Sequence, residues 1–259
     1  MRPSILLTND DGIHSPAFDA LESALSDLGE LTVVAPDREM SACSQSLTLN
    51  QPLRYHQVGN NRYAVQGTPA DCVILASIKI LQRKPDLVIS GVNRGLNVGD
   101  DVAYSGTIAG AFEAALQGLP GMAVSAYPRP EPDFIKAAQV AARIAAGVLC
   151  DGLPYDVILN VNFPEEWNGE MRVTRQERRS AKTVLVENMD PRGREYFWLH
   201  EELHKTADGS TSDVVLTDYA AIRSGYVSVT PLQLDRTAHP LINRMSAWLK
   251  KVTFGEIIE

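Results

Sequence analysis

The chain has 259 residues, of which 44% are hydrophobic and 22% are charged, and its formal net charge is -8 at pH 7. This composition is ordinary for a soluble globular protein and supports a substantial core without disulfides. The negative charge argues against a general affinity for nucleic acids, although a small anionic substrate is compatible with it if a metal ion supplies local positive charge.

Short apolar runs alternate with amphipathic helices over the first 130 residues, which is typical of a parallel sheet covered by helices. We predict strands at residues 5–7, 31–35, 87–89 and 122–124. Helices are predicted to begin at Ser15-Pro16, Thr68-Pro69 and Ile108, and Gly29 is predicted to end the first of them. The alternation predicts an α/β fold with a doubly wound, mostly parallel sheet, and length alone leaves open one large domain or two small ones.

The second half of the chain changes character. A long Ala-rich helix at residues 134–149 is followed by a strand at 157–161 and a charged region at 165–213. Residues 183–187 and 195–199 are predicted to form a β-hairpin around the turn-prone stretch Asp190-Pro191-Arg192-Gly193. An isolated hairpin is marginally stable in water, so we expect a partner subunit to cover it. A strand at 226–230 and a helix at 240–250 complete the prediction, with Leu241, Met245, Trp248 and Leu249 expected to pack together.

The cysteines and the apolar segments bear on location. The three cysteines, Cys43, Cys72 and Cys150, cannot all pair with one another and are interpreted as reduced thiols. The apolar run at residues 5–7 is far too short for a signal peptide. No stretch approaches the roughly 18 apolar residues that a membrane helix needs. We therefore expect a cytoplasmic protein that does not bind membranes.

Two adjacent carboxylates, Asp10 and Asp11, directly follow the first predicted strand. Ligands of an open parallel sheet bind beyond the carboxyl ends of its strands, so this position favours a functional role. Two anions held together repel unless a cation lies between them, and Mg²⁺ and Mn²⁺ prefer such oxygen ligands. Asp-Asp-Gly is also common in turns, and this segment alone does not separate a metal site from a turn.

Polar residues follow two further strands. Ser41, after the second strand, offers a neutral oxygen ligand, but a serine there is also typical of a helix cap or an exposed loop. Asn93 lies in a glycine-rich stretch, residues 91–106, and its amide oxygen is a suitable cation ligand. The glycines allow backbone amides to approach an anion. This stretch matches neither the Walker A loop nor the dinucleotide-binding pattern G-x-G-x-x-G.

Ser105, Gly106 and Thr107 lead from this loop into the third helix. The first turn of a helix presents unpaired N–H groups and a favourable dipole to phosphate, and the two hydroxyls add hydrogen-bond donors. The alternative is that one hydroxyl only caps the helix, and the two roles are compatible. The segment is therefore a candidate phosphate site.

Four segments together resemble the SurE family of metal-dependent 5'(3')-nucleotidases. They are T-N-D-D-G at residues 8–12, A-P-D-R-x-x-S at 35–41, S-G-x-N-x-G-x-N at 90–97 and Y-S-G-T at 104–107. Residues 67–72 and 225–232 are also similar to family segments, so the resemblance extends from about residue 4 to about residue 240. It is weak over residues 165–213, and Cys43 stands where family members often carry another small residue.

The resemblance implies a Rossmann-like sheet with a C-terminal β-hairpin arm for oligomerisation. We expect a single domain over residues 1–259, with a nucleotide- and metal-binding core at 1–130 and an extension from about 165 to 259 that carries the arm and the C-terminal helix. It also implies a homodimer or homotetramer with exchanged C-terminal segments.

For the site, the resemblance implies one divalent metal ion per subunit, Mg²⁺ or Mn²⁺, held by Asp10, Asp11, Ser41 and Asn93. The residues expected to contact substrate phosphate are Asn9, Asn93, Gly95, Ser105, Gly106 and Thr107. Asp10 and Asp11 are the predicted catalytic residues, one of them accepting a proton or attacking phosphorus. The expected substrates are nucleoside 5'- and 3'-monophosphates, with short polyphosphate as a further candidate.

Three other functions make different demands on the sequence. A non-enzymatic phospho-receiver also holds Mg²⁺ with paired acids. It needs an acceptor Asp after a later central strand, where this chain has Asn93, and a receiver domain is only about half as long as this chain. A haloacid-dehalogenase-type phosphatase needs Asp-x-Asp, whereas Asp10 and Asp11 are adjacent. A structural or metal-sensing role is separated from an enzyme only by measuring phosphate release.

Overall fold

The computed structural model describes residues 2–128, 133–178, 181–203 and 215–253, with the backbone alone at 181–183, 200–203 and 253. The strands are β1 (Ser4–Thr8), β2 (Glu30–Pro36), β3 (Tyr55–Gly59), β4 (Arg62–Val65), β5 (Leu87–Arg94), β6 (Gly121–Ala126), β7 (Val157–Phe163), β8 (Met171–Val173), β9 (Ala181–Met189), β10 (Glu195–Leu203) and β11 (Val227–Gln233). The helices are α1 (Ala17–Leu25), α2 (Pro69–Leu75), α3 (Gly106–Leu116), α4 (Phe134–Asp151), α5 (Asp218–Arg223) and α6 (Ile242–Thr253).

A nine-stranded sheet in the order β3-β4-β2-β1-β5-β6-β7-β11-β8 forms the centre of the molecule. The strands from β4 to β7 run parallel, whereas β3 and β11 are antiparallel to β4 and β7. The chain winds from β1 towards β2 and then from β5 towards β7, so the winding reverses between β1 and β5. This confirms the predicted doubly wound, mostly parallel α/β fold.

Helices cover both faces of this sheet. Along β1, Ile5 and Leu7 join a core cluster with residues of α1 and α4, while Leu6 joins one with residues of α2. Alternate side chains of a strand point to opposite faces, so a strand covered on both faces is apolar throughout. All three side chains are fully buried, and burying each contributes roughly 1.5–3 kcal/mol. This explains why β1 reads as an unbroken apolar run.

Several element boundaries differ from the prediction. Helix α1 ends at Leu25, four residues before Gly29. Gly29 instead permits a close backbone approach, since a Cβ there would lie 2.5 Å from the carbonyl oxygen of Pro3. The β3–β4 hairpin was not predicted, although Asn61 in its turn adopts φ 52°, a conformation that Asn tolerates. Strand β8 and helix α5 were also missed. Their short length leaves little periodic signal.

The predicted arm is present and longer than expected. Strands β9 and β10 form a separate two-stranded antiparallel sheet, paired from Glu195↔Met189 to Leu203↔Ala181. Strands β8 and β11, from the predicted extension, belong to the main sheet. Part of the charged region at 165–213 lies outside the described residues.

The C-terminal helix is also present, and four apolar side chains in it and just before it are partly exposed. Leu241, Met245, Trp248 and Leu249 are each about half exposed, at 46–56%. Partial exposure does not decide whether the four side chains pack against one another, so that expectation stays a prediction.

Candidate active site

The segment after β1 holds Asp10 and Asp11 in a braced loop. Asn9 is fully buried, its Oδ1 accepts the Gly12 N–H at 3.1 Å and its Nδ2 donates to the Gly12 carbonyl at 3.1 Å. Gly12 has φ +96°, a left-handed conformation that favours glycine. Asn9 thus closes the loop around the two carboxylates. Its Nδ2 and Oδ1 each make one hydrogen bond in this contact, and the phosphate contact predicted for Asn9 stays a prediction.

The segment after β2 brings Ser41 to the same edge of the sheet. The Met40 N–H donates to the Asp10 carbonyl at 2.8 Å, which fixes this loop beside the first one. Ser41 donates its hydroxyl to the Glu39 carboxylate at 2.7 Å and is otherwise exposed. Glu39, which the sequence did not single out, therefore adds a third carboxylate near Asp10 and Asp11.

Strand β5 reaches further than predicted and carries Asn93 with it. The pairing with β6 shifts between Ser90 and Asn93, a β-bulge that redirects the following side chains. Gly91 makes the bulge possible, since a Cβ there would lie 2.2 Å from the Val124 carbonyl oxygen. Asn93 Nδ2 donates to the Gly95 carbonyl at 2.9 Å, which orients the amide and leaves its oxygen directed away from that contact. Asn93 is thus part of a strand rather than of a loop.

The first turn of α3 packs directly on Asp10. The Thr107 hydroxyl donates to Asp10 Oδ1 at 2.5 Å, and Ser105 caps the helix by accepting the Ile108 N–H at 3.1 Å. A Cβ at Gly106 would lie 2.9 Å from Asp10 Oδ2, so only glycine permits this approach. Thr107 is fully buried behind Asp10. Its hydroxyl therefore orients a carboxylate, whereas the sequence predicted a phosphate contact for it.

These segments surround a cleft of about 1360 Å³ at the carboxyl ends of β1 and β5, where the sheet reverses its winding. It is lined by Asp10, Asp11, His14, Ser15, Pro16, Glu39, Ser41, Ala42, Asn93, Arg94, Asn97, Asp101, Tyr104, Ser105, Phe134 and Leu199. The cleft unites the four predicted metal ligands with Ser105. Asn9, Gly95, Gly106 and Thr107 do not line it.

Burial raises the pKa of both central carboxyl groups. Asp10 loses hydration, which raises its pKa, although the hydrogen bond from Thr107 opposes this effect. Burial and then the negative charge of Asp10 raise the pKa of Asp11 to about 6, with the positive charge of Arg94 acting in the opposite direction. The protein thus holds two carboxylates in an environment that disfavours their charge. A bound cation removes that penalty.

The donor set fits a divalent cation. Asp11 Oδ2 is buried and, among the described residues, accepts no hydrogen bond, which is costly for a carboxylate oxygen unless another ligand is present. Two carboxylates, a hydroxyl and an amide oxygen are the hard ligands that Mg²⁺ and Mn²⁺ prefer. Among the described residues no three His, Cys, Asp or Glu side chains come together as a metal-binding cluster, so the proposed ligand set depends on the neutral oxygens of Ser41 and Asn93 as well as on the two carboxylates.

Asn97 and Arg94 line the cleft and were not among the predicted site residues. Asn97 is almost fully buried, at 6% exposure, and lies in the loop that follows β5. Both stand within the motif at residues 90–97. Asn97 is the second Asn of that motif, and this position was the sequence signal that could have identified it as a site residue.

Comparison with known proteins identifies the family. A family model described as "Survival protein SurE" matches residues 5–183. The chain belongs to the SurE family. A protein of Citrifermentans bemidjiense named 5'-nucleotidase SurE is 48% identical over 248 residues, covering 94% of this chain and 98% of that protein. A protein of the same name from Pelobacter propionicus is 47% identical over 249 residues, with 95% and 99% covered.

Solved structures of SurE proteins share the fold. The crystal structure of the SurE protein from Aquifex aeolicus is similar to this chain with a TM-score of 0.82 at 42% identity, covering 95% of this chain and 99% of that one. The receiver-type alternative is not favoured, because the relatives are SurE nucleotidases by name and β5 leads to Asn93 rather than to an acceptor Asp. In the described part of the chain no helix is both long and apolar enough to cross a membrane.

Proposed function

We propose that this SurE protein is a divalent-metal-dependent phosphatase that hydrolyses nucleoside 5'- and 3'-monophosphates to nucleoside and phosphate. The observation that carries the proposal is the convergence of Asp10, Asp11, Ser41 and Asn93 on one cleft, with the Asp11 Oδ2 atom buried and unpaired among the described residues. The names of the relatives, 5'-nucleotidase SurE, support the same activity. Short polyphosphate is a further candidate substrate.

The four ligands would hold one Mg²⁺ or Mn²⁺ ion per subunit. When bound, such an ion neutralises phosphoryl charge and lowers the pKa of a coordinated water. The residues of the chain supply the remaining requirements. Asp10 is held in place by Thr107, and a carboxylate of the Asp10–Asp11 pair accepts the proton of the attacking water.

Phosphate binding is assigned to the part of the cleft at the first turn of α3, next to Asp10. Ser105 lines the cleft at the first turn of α3, where N–H groups and the helix dipole favour an anion. Arg94 also lines the cleft and adds positive charge to it, and its backbone N–H donates to Asp11. The apolar side chains of Tyr104, Phe134 and Leu199 extend the cleft and leave room for a nucleoside.

We also propose a homodimer or homotetramer and a cytoplasmic location. The oligomer is supported by the exposed apolar side chains of the arm, among them Phe197 at 53% and Trp198 at 65%. Such a surface is unusual for a monomer in water. The location is supported by the three unpaired thiols of Cys43, Cys72 and Cys150.

The test is a phosphate-release screen across 5'- and 3'-nucleoside monophosphates with Mg²⁺, Mn²⁺ or EDTA. We expect release with a divalent ion and none with EDTA. A non-nucleotide phosphomonoester at the same concentration measures how much the nucleoside contributes. Failure to release phosphate from every nucleotide at saturating metal would refute the proposed activity, and release that persists in EDTA would refute the metal dependence.

A further inference from the structure

Two asparagines of β7, Asn160 and Asn162, are fully buried in the main sheet. They alternate with Val161, whose side chain joins the core cluster on the α1 and α4 side, so both amides point to the opposite face. Amide groups are unfavourable in such an interior unless each donor and acceptor is bonded. Their hydrogen bonds therefore show what the two residues do.

Most of these bonds go to a single residue at the cleft wall. Asn162 Oδ1 accepts the Asn97 backbone N–H at 2.8 Å. Asn160 Nδ2 and Asn162 Nδ2 donate to the Asn97 carbonyl at 2.8 and 3.1 Å. Asn162 Nδ2 also donates to Asn160 Oδ1 at 3.2 Å, which locks the two amides to each other. Both backbone polar groups of Asn97 are thus held by β7.

The side chain of Asn97 is held from another strand. Its Nδ2 donates to the hydroxyl of Ser125, a fully buried residue of β6, at 2.8 Å. Ser125 is paired with Asn93 on one side and with Asn162 on the other, so the metal ligand and the two asparagines are connected through a single row of the sheet. Asn97 is therefore held at its backbone N–H, its backbone carbonyl and its side-chain Nδ2 while it lines the cleft.

We propose that Asn160 and Asn162 are positioning residues for phosphate-ester hydrolysis, which act by holding Asn97 where its amide contacts the phosphate group of the substrate. The proposal rests on the proposed function and adds a residue pair outside the cleft to it. Precise placement of a contact residue matters because small displacements weaken transition-state contacts. Neither asparagine touches the cleft itself.

The experiment compares Asn160→Ala, Asn162→Ala and Ser125→Ala with a control variant that is expected to lose a similar amount of thermal stability. Thr230→Val is that control. Thr230 is buried and lies opposite Asn160 across the β7–β11 pair, and its hydroxyl is hydrogen-bonded to the hydroxyls of Thr174 and Ser228. For each protein we would measure kcat and KM on a nucleoside monophosphate with Mn²⁺, inhibition by vanadate, and the midpoint of thermal unfolding.

In Asn160→Ala and Asn162→Ala we expect kcat/KM to fall about tenfold or more and vanadate inhibition to weaken. In Thr230→Val we expect kcat/KM to stay within about twofold of the wild-type value at a comparable loss of thermal stability. Ser125→Ala should show the same loss in milder form and serves if an asparagine variant does not fold. Mn²⁺ affinity, measured by calorimetry, should be unchanged, because none of the four proposed ligands, Asp10, Asp11, Ser41 and Asn93, is substituted.

A double-mutant cycle separates positioning from general destabilisation. If Asn162 acts through Asn97, the variant Asn97→Ala/Asn162→Ala should lose no more than about twofold in kcat/KM beyond Asn97→Ala alone. Independent, multiplicative losses would overturn the inference, as would asparagine variants that lose no more activity than Thr230→Val. A wild-type protein that releases no phosphate would instead refute the proposed function, and this inference with it.

Discussion

At the scale of single residues, Asp10 and Asp11 carry most of the electrostatic character of the site. They are adjacent, both have raised pKa values through burial, and Asp11 Oδ2 has no hydrogen-bond donor among the described residues. A neutral amide at either position keeps the shape of the side chain but removes a charged ligand. Each carboxylate should therefore matter far more to turnover than to folding.

We predict that Asp10→Asn and Asp11→Asn each lower phosphatase turnover by at least about a hundredfold, roughly 2.7 kcal/mol of transition-state stabilisation. Asp27→Asn is the matched control. Asp27 is exposed in the turn before β2, at the amino end of that strand, whereas the cleft lies at the carboxyl ends of the strands. Initial rates at saturating Mn²⁺ and circular dichroism would be measured for all three. Wild-type turnover in either site variant would contradict the assignment.

Ser105 and Thr107 were predicted to act together on phosphate, but the structure separates them. Ser105 lines the cleft, whereas the Thr107 hydroxyl donates to Asp10. We predict that Ser105→Ala weakens vanadate inhibition with little change in Mn²⁺ affinity. The loss of an N-cap should also cost about 1 kcal/mol of folding stability.

For Thr107→Val we predict an effect on turnover or Mn²⁺ affinity rather than on vanadate inhibition. A hydrogen bond to a charged group contributes about 1.5–3 kcal/mol, so loss of this donor should lower turnover or Mn²⁺ affinity by about tenfold or more. Thr107→Ser keeps the hydroxyl and should retain most of the activity. Calorimetry with Mn²⁺ and vanadate inhibition would be compared for both variants, and equal behaviour of Val and Ser at this position would argue against a role through Asp10.

At the scale of elements, the loop between β5 and α3 is held by parts of the chain far away in sequence. Gly99 donates its N–H to Asp218 Oδ2 at 2.9 Å and accepts from Gln176 Nε2 at 2.7 Å. Asp218 Oδ1 also accepts the Glu177 N–H at 3.0 Å, just before the arm begins. The C-terminal part of the chain is thereby attached to a loop of the candidate site.

We predict that Asp218→Ala destabilises the protein by about 3 kcal/mol, because buried backbone N–H groups lose their acceptor at roughly 1–3 kcal/mol each. Asp235→Ala is the control: Asp235 also accepts a backbone N–H, from Thr237, but is exposed and should cost little. Unfolding by urea would be followed by fluorescence. Equal midpoints for the two variants would show that the Asp218 contacts contribute no more than surface contacts.

At the scale of the whole molecule, the arm and the C-terminal helix present apolar surface that the described chain does not cover. Leu185 and Trp198 of the arm are each 65% exposed, and Trp248 of α6 is 52% exposed. A symmetric partner can bury both the side chains and the open strand edges, and exchange of an identical element is a low-cost way to do so.

We predict that the wild-type protein is an oligomer at micromolar concentration, and that replacing residues 182–200 with a short Gly-Ser linker lowers its mass per particle. Mn²⁺ binding should survive, since the four predicted ligands lie outside the arm. Trp248→Ser, which changes α6 alone, separates the helix from the arm. Light scattering across a dilution series would decide: a monomeric wild-type protein, or a deletion variant of unchanged mass, would exclude the arm as the assembly element.

The sequence by itself determined the doubly wound fold and the candidate ligands. Apolar runs buried on both faces of a sheet have a strong local signal, and Asp10, Asp11, Ser41 and Asn93 stand in motifs directly after or near such runs. The arm was also predictable, because Asp190-Pro191-Arg192-Gly193 is a turn and each flank is rich in apolar residues. The sequence does not show which side chains of the arm are exposed, so it could not show that a partner covers them.

Only the tertiary structure decided how those residues are held. The bulge that places Asn93 within β5 depends on the approach of Gly91 to the Val124 carbonyl, which joins two strands. The hydroxyl of Thr107 turned out to serve Asp10, because α3 packs its first turn against the β1 loop. Asn160 and Asn162 reach Asn97 across more than sixty residues, with sequence separations of 63 and 65. Contacts of this range arise from packing between elements, and no local pattern in the chain encodes them.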